Sequence, residues 1–351
     1  MSAFERVEAP ARTDGRANTV AERLLGLAPA VAALAYPFLL DGFHLAISSP
    51  GGLGSVTRTL GAALCLLAAM ATPVFGLASA LRLSKAARSS FDLRARRLAY
   101  LSIAAPPLYV LAGVGLGLLH SPLRDQVVWI AVWLAAGSYV LFGGEAAPKP
   151  AARSVARWRV VHGVAAAAIA IYVLFHLANH LLGLLGPDVH AAVMKMGRQV
   201  YRSPLVEPVL VSLLLFQVAS GARLAWRWSA SPADGYRVLQ IGSGAYLAAF
   251  LLAHLNSALV SARTVHRIDT NWAWAAGLPE GLIHDAWNIR LVPHYAFGVF
   301  FILAHLCSGL RGVAIAHGVG VTTANRLWTA GLVVGGLVSA AIISGLCGAR
   351  L

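Results

Sequence analysis

Charge is scarce in this sequence. Asp, Glu, Lys and Arg make up 12% of its 351 residues, about half the share a soluble domain carries. So few charges cannot cover a water-facing surface of this size. Acid is scarcer than base, with 14 Asp and Glu against 28 Lys and Arg, and the apolar runs hold almost no acid, Asp41 standing at the end of one. Cysteine is nearly absent. Cys65, Cys307 and Cys347 fall inside apolar runs with no CxxC or CxxCH spacing, which excludes a zinc ribbon and a covalently attached c-type haem. No signal peptide is expected, because residues 1–22 mix Glu, Asp and Arg and no clear cleavage site follows.

What remains is hydrophobic: 58% of the residues, with a mean hydropathy of +0.70. The apolar runs are roughly 20 residues long, the length that about 30 Å of hydrocarbon requires at 1.5 Å per residue. They predict membrane-spanning helices at 24–46, 57–82, 97–119, 127–143, 160–183, 205–226, 237–260, 291–314 and 327–347. The fold class expected is therefore all-α, a polytopic membrane bundle of about nine helices. The net charge of +14 does not point to nucleic acid, because the basic residues lie between the apolar runs, where they set topology. With the N-terminus inside, the inner segments hold 19 of the 28 basic residues, counted over Arg6–Arg23, Arg82–Arg97, Lys149–Arg159, Arg223–Arg237 and Arg311–Arg326. That bias places the N-terminus in the cytoplasm and the C-terminus outside.

An internal repeat is legible. The stretch Phe75 to Leu83 (FGLASALRL) aligns with Phe216 to Leu224 (FQVASGARL), and Arg23 to His44 lines up with Arg159 to His180 without a gap. The chain reads as a four-helix module over 1–150 and a second module over 151–351, four helices and a closing one. Shared Ala, Leu and Gly content is the alternative explanation of the likeness.

The chemistry lies in the twelve histidines. The first module has only His44 and His120, near its outer surface; the second carries histidines inside its spans. A polar group in hydrocarbon costs several kcal/mol unpaired, so it pairs or binds something. His176 and His254 each lie about 16 residues into spans of the same direction, which at 1.5 Å per residue puts them at one level in the outer half of the membrane. Two imidazoles at one depth on different helices are the donor set of a bis-histidine haem b. His305 lies nearer the inner face, with Gln217 its partner by depth. An amide is a poor iron ligand, so one haem is expected and a second is doubtful. Gly221, Ser243 and Gly244 supply the small side chains that a porphyrin between helices requires; close helix packing would use them equally. His162, His180 and His294 stand at span ends, where snorkelling competes with quinone binding. The outer segment 261–290, with His266 and three tryptophans, reads as an interfacial aromatic belt or as a lid over a quinone site, with Asn179, His180 and His266 as the candidate quinone contacts.

These motifs have a family likeness. The sequence from Trp158 and Arg159 to His162, followed by Leu174-Phe175-His176-Leu177, then Tyr236 to Gly244 leading to Ala253-His254, then Ala304-His305 to Gly309 and the loop from Gly318, resembles the five-helix dihaem cytochrome b subunit of succinate:menaquinone and fumarate reductases over residues 158–347. The resemblance implies a subunit of a respiratory oxidoreductase in a bacterial inner membrane. It would anchor a flavoprotein and an iron–sulfur protein at the inner face and pass electrons between them and a membrane quinone, either as a quinone-reactive subunit or as a non-catalytic one. By motif it assigns His176 and His254 to the outer haem and His305 to the inner one. Two departures stand out: the ligand position of the family's second helix falls on Gln217, and the first four spans have no counterpart. The alternatives are a haem-free scaffold subunit, which Gln217 and the histidine-poor first module favour, and a repeat-built transporter, which the shortage of intramembrane acid disfavours.

Overall fold

The computed structural model describes residues 18–48, 55–85, 87, 89–144 and 154–351. The Ser49–Gly52 turn, the Pro148–Pro150 linker and six of the basic residues counted above (Arg6, Arg12, Arg16, Arg88, Lys149 and Arg153) lie outside them. Among the described residues the chain is all-α. Thirteen helices run in order: α1 (Val20–Ser48), α2 (Val56–Arg82), α3 (Ser90–Ile103), α4 (Ala105–Leu118), α5 (Asp125–Phe142), α6 (Ser154–Leu182), α7 (Pro187–Tyr201), α8 (Val206–Trp228), α9 (Gly235–Leu255), the single-turn α10 (Trp272–Ala275) and α11 (Gly281–His284), α12 (Leu291–Ala316) and α13 (Val321–Leu346). Eight helices, α9 counted with its extension, are long and apolar enough to cross a membrane, and α3 with α4 is a bent pair that passes the same test only when taken together. Leu and Ile side chains such as Leu64, Leu67, Ile171 and Leu337 lie exposed along these helices, as a lipid-facing surface requires. This is an integral membrane helical bundle.

Local signals set the helix starts. Ser55, Ser89 and Asp234 cap α2, α3 and α9 by accepting the backbone N–H of Arg58, Asp92 and Arg237. Two elements depart from the predicted spans. The straight helix expected over 97–119 is instead broken at Ala104, where α3 and α4 meet at 67°. Pro106 and Pro107 open α4; neither offers an N–H to the turn before it, and their rings clash with the preceding carbonyls. Between α6 and α8 stands α7, an amphipathic helix that buries His190 and Met194 and exposes Asp188 and Lys195.

The basic stretch of α3 does more than set topology. Arg94 and Arg96 are buried. Arg94 donates to the carbonyls of Val140 (3.0 Å) and Gly144 (2.6 Å) at the end of α5. Arg96 donates to Leu83 (2.7 Å) and Lys85 after α2, and to Ser229 and Ser231 (3.0 Å each) after α8. The C-terminal carbonyls of three helices, carrying the negative end of their dipoles, thus converge on two guanidinium groups. Both halves of the chain also share a core, in which Ala80, Ala99, Tyr100 and Ile103 pack with Val238, Leu239, Tyr246 and Phe301. Half of α9's apolar window is buried, the largest share of any span, which marks α9 as the central helix.

With the N-terminus inside, the end of α8 faces the cytoplasm and the segment after α9 faces out. Reporter fusions are expected to read cytoplasm at Ser231 and outside at Asn271; opposite signals at both positions would overturn the orientation.

Candidate functional site: two imidazole pairs and an outer cavity

The outer cavity lies between α6, α7, α8 and α9 and holds about 120 Å3. Its walls include Tyr172, His176, Asn179 and His180 from α6, His190, Met194, Arg198 and Tyr201 from α7, Leu210 and Leu214 from α8, and His254 from α9. The His176 and His254 rings lie 6.0 Å apart between centroids, at 69°. Two imidazoles bound to one metal at about 2 Å, with each ring centre about 1 Å behind its nitrogen, hold their centroids roughly 6 Å apart. Neither ring makes a hydrogen bond among the described residues, so all four nitrogens are free of protein partners.

Around this pair the rings form a file. His180 lies 4.7 Å from His176, His190 lies 5.3 Å from His180, and Trp272 lies 4.9 Å from His190. Behind His254, Phe250 stacks at 5.6 Å and in turn meets His294 at 4.6 Å. Buried polar atoms without a partner gather here: Asn179 Oδ1, His180 Nδ1, His190 Nδ1, Arg198 Nε, Trp272 Nε1 and His294 Nδ1. Buried polar groups are nearly always satisfied, so this concentration marks a place built to bind. Burial, reinforced by the Arg198 charge, holds the His190 imidazole below its usual proton affinity.

The mouth is basic. Arg198 pairs with Asp269 at 2.9 Å, Arg263 pairs with Glu207, and Arg202 donates to Thr270 Oγ1 at 2.8 Å with no carboxylate of its own. Burial and the neighbouring Arg198 and Arg263 cations push the Arg202 pKa down. One uncompensated positive charge therefore sits beside the cavity. The segment after α9 closes one side. A π-helical stretch, Asn256–Val265, prolongs α9, and the chain then turns at Arg267 (φ 56°) into α10. Trp272 seats against Gly183, where no Cβ would fit, and Thr270, Asn271, Trp274 and Ala275 complete the wall. The segment from Thr270 to Ala275 is thus part of the cavity wall. His266 is a correction: it is exposed and absent from the cavity wall, because the turn at Arg267 carries it outward.

The inner pair differs from the expected one. Depth paired His305 with Gln217; the structure sets His162 beside His305, with ring centroids 6.3 Å apart at 81°. Gln217 Nε2 instead donates to the His162 carbonyl at 3.0 Å. Ser220 Oγ lies 2.7 Å from His162 Nδ1, and Ser243 Oγ lies 3.0 Å from His305 Nδ1. The next residue in each case is glycine. A Cβ on Gly221 would stand 3.4 Å from His162 Cε1, and one on Gly244 would stand 3.2 Å from His305 Cε1. The small residues read as porphyrin clearance thus surround the inner pair.

Sequence reasoning missed His190, Arg198, Arg202 and Phe250. The first two lie at i and i+8 with Met194 between them, one face of an amphipathic helix, and that periodicity was open to view. Nothing in the sequence marks Phe250. Among the described residues no three His, Cys, Asp or Glu side chains gather as a metal-binding group, which sets the histidines apart from a zinc-type site with three or four protein ligands. A haem fits the donor sets better, since its macrocycle fills four iron positions and leaves two for imidazole. Compared with known proteins, the chain matches no family model, no curated protein and no solved structure.

Proposed function

We propose that this protein is a haem b, quinone-reactive subunit of a membrane oxidoreductase. The observation that carries this is the His176–His254 pair: two imidazoles at metal-sharing distance on different helices, in an apolar bundle, with no hydrogen bond of their own. Two neutral imidazoles left unpaired in hydrocarbon would cost several kcal/mol, and an iron between them removes that cost. Haem supplies one-electron transfer when bound. His176 and His254 would hold its iron, and the uncompensated Arg202 would offer a positive charge to an acidic substituent. Asn179 and His180 line the same cavity with unpartnered polar atoms, which suits the carbonyl oxygens of a quinone, and Trp272 shields that face from water. The resemblance to the cytochrome b subunit of succinate:menaquinone and fumarate reductases supports a flavoprotein and an iron–sulfur protein as partners at the inner face.

The test is spectroscopic. The detergent-purified full chain, produced in a haem-supplied host, is expected to show a reduced b-type absorption band with dithionite and to be reduced by a soluble menaquinol analogue. A preparation without haem overturns the reading in favour of a scaffold or transporter, and a haem that no quinol reduces removes the quinone from it.

A further inference from the structure

We propose that Arg290 and Asp125 are positioning residues for the outer cavity: through their ion pair, α4 and α5 hold the segment that walls it. The pair acts on access to the cavity and does not depend on which molecule enters. Arg290 ends the turn Asn288–Arg290 that leads into α12, and Asp125 opens α5. Their side chains meet at 2.6 Å and are only 8% and 17% exposed. A Cβ on Gly113 of α4 would stand 2.7 Å from Arg290 Nη1 and 3.4 Å from Asp125 Oδ2, so the pair fills the space this glycine leaves. The guanidinium also lies 4.5 Å from the ring centre of Tyr109 on α4 and 4.9 Å from that of Trp287. A buried ion pair contributes little net stability, because desolvation offsets the attraction. What it fixes is direction, since a planar guanidinium offers its donors at set angles. Leu282 and Ile289, buried in one core with Tyr36, Leu40 and Trp129, hold the same segment down, but apolar contact is non-directional and does not set its rotation.

From Arg290 the connection to the cavity is continuous. Its Nε donates to the Trp287 carbonyl at 3.0 Å. The backbone N–H groups of Trp287 and Asn288 donate to Asp285 Oδ1 at 3.0 and 2.7 Å, which shapes the turn. Asn288 Nδ2 then reaches back to the carbonyls of Gly277 and Gly281, at 3.1 and 3.2 Å. Gly277 has a φ of 66°, and a Cβ there would stand 2.6 Å from Asn288 Nδ2, so this bond requires glycine. The Gly277 N–H donates to the Trp274 carbonyl of α10 at 3.2 Å. In turn α10 places Trp274 and Ala275 in the cavity wall and Trp272 against His190. Breaking the ion pair leaves one charge buried without its partner. That charge moves outward to water, takes the turn with it and releases α10, so the wall opens more often.

The test reads access directly and needs no ligand. In the detergent-purified full chain carrying Ala275→Cys, the rate of reaction with a water-soluble maleimide is followed peptide by peptide. Adding Asp125→Asn is expected to raise the rate at position 275 about tenfold, because labelling follows the fraction of time the wall is open. Asp125→Glu is expected to bring that rate back towards the parent's. The rate at the native Cys307, whose thiol packs against Gly331 of α13, is expected to stay unchanged throughout. Gly113→Ala keeps both charges and pushes the guanidinium aside, so it is expected to act as Asp125→Asn does, and it serves alone should that variant fail to fold. Labelling of position 275 at the parent rate in these variants would overturn the positioning role. An equal rise at Cys307 would overturn it too, since that reports a general loosening of the bundle.

Discussion

Replacing His254 by leucine is expected to remove the outer haem and to lower the melting temperature of the purified protein. The sign of the second effect is decisive. If the His176 and His254 rings merely line the cavity beside each other, each is a half-buried polar ring in an apolar bundle with no protein partner, and an apolar residue of similar volume relieves a cost of about 1–3 kcal/mol. His254→Leu would then melt higher than the parent. If iron joins the rings, the same change removes one of two protein ligands from a cofactor that stabilises the folded chain in proportion to its occupancy. The variant would melt lower, with one haem equivalent gone from the reduced spectrum. His176→Leu is expected to behave alike, and Asn179→Ala to keep its haem and lose part of its reduction by the quinol analogue. A His254→Leu protein that melts higher than the parent with an unchanged spectrum would refute the outer site.

These contrasting outcomes arise because position along a helix is legible in a sequence and position around it is not. Rise per residue placed His176 and His254 at one level, and the structure brings their rings together. The same arithmetic matched His305 to Gln217. What decides that contact is which side of α6 faces α12, and the turn of α6 brings in His162, a residue first read as interfacial. Eight of the nine apolar runs became single helices long enough to span, because length and apolarity suffice to specify one. The break at Ala104 was present in the sequence as Pro106 and Pro107, but a continuous apolar run concealed it. The cavity depended on α7, whose polar face reads as a loop in a hydropathy profile even though its other face buries His190 and Met194. His266 went astray for the opposite reason: an exposed turn lies close to the site in sequence and points away from it in space.

Arg96 shows the same limit and yields the largest stability effect. Counted with its neighbours, it is one positive charge near the inner face. In the fold it is buried, and it bonds four carbonyls from the chain after α2 and after α8. It therefore ties the chain after α2 to the chain after α8. Hydrogen bonds from a charged donor contribute about 1.5–3 kcal/mol each, and leaving their buried acceptors unpaired costs a similar amount. Arg96→Met is thus expected to destabilise the protein by several kcal/mol, read as a large fall in the detergent melting temperature. Arg96→Lys keeps the charge but not the planar fork. A single ammonium with three donors cannot reach the four carbonyls that the guanidinium spans, so lysine is expected to restore only a part of the loss. Water at the inner face offers the rival account: if it satisfies those carbonyls once the guanidinium is removed, Arg96→Met would melt close to the parent, and Arg96 would count for topology alone. The Arg97→Met variant is the control. Its guanidinium stacks on Trp226 at 3.6 Å and makes only longer bonds, to Ser229 Oγ at 3.3 Å and the Trp226 carbonyl at 3.5 Å. Its loss is expected to cost about 1 kcal/mol or less, the scale of an exposed cation–π contact, so a fall confined to Arg96 assigns the effect to the four converging carbonyls and not to the removal of one positive charge.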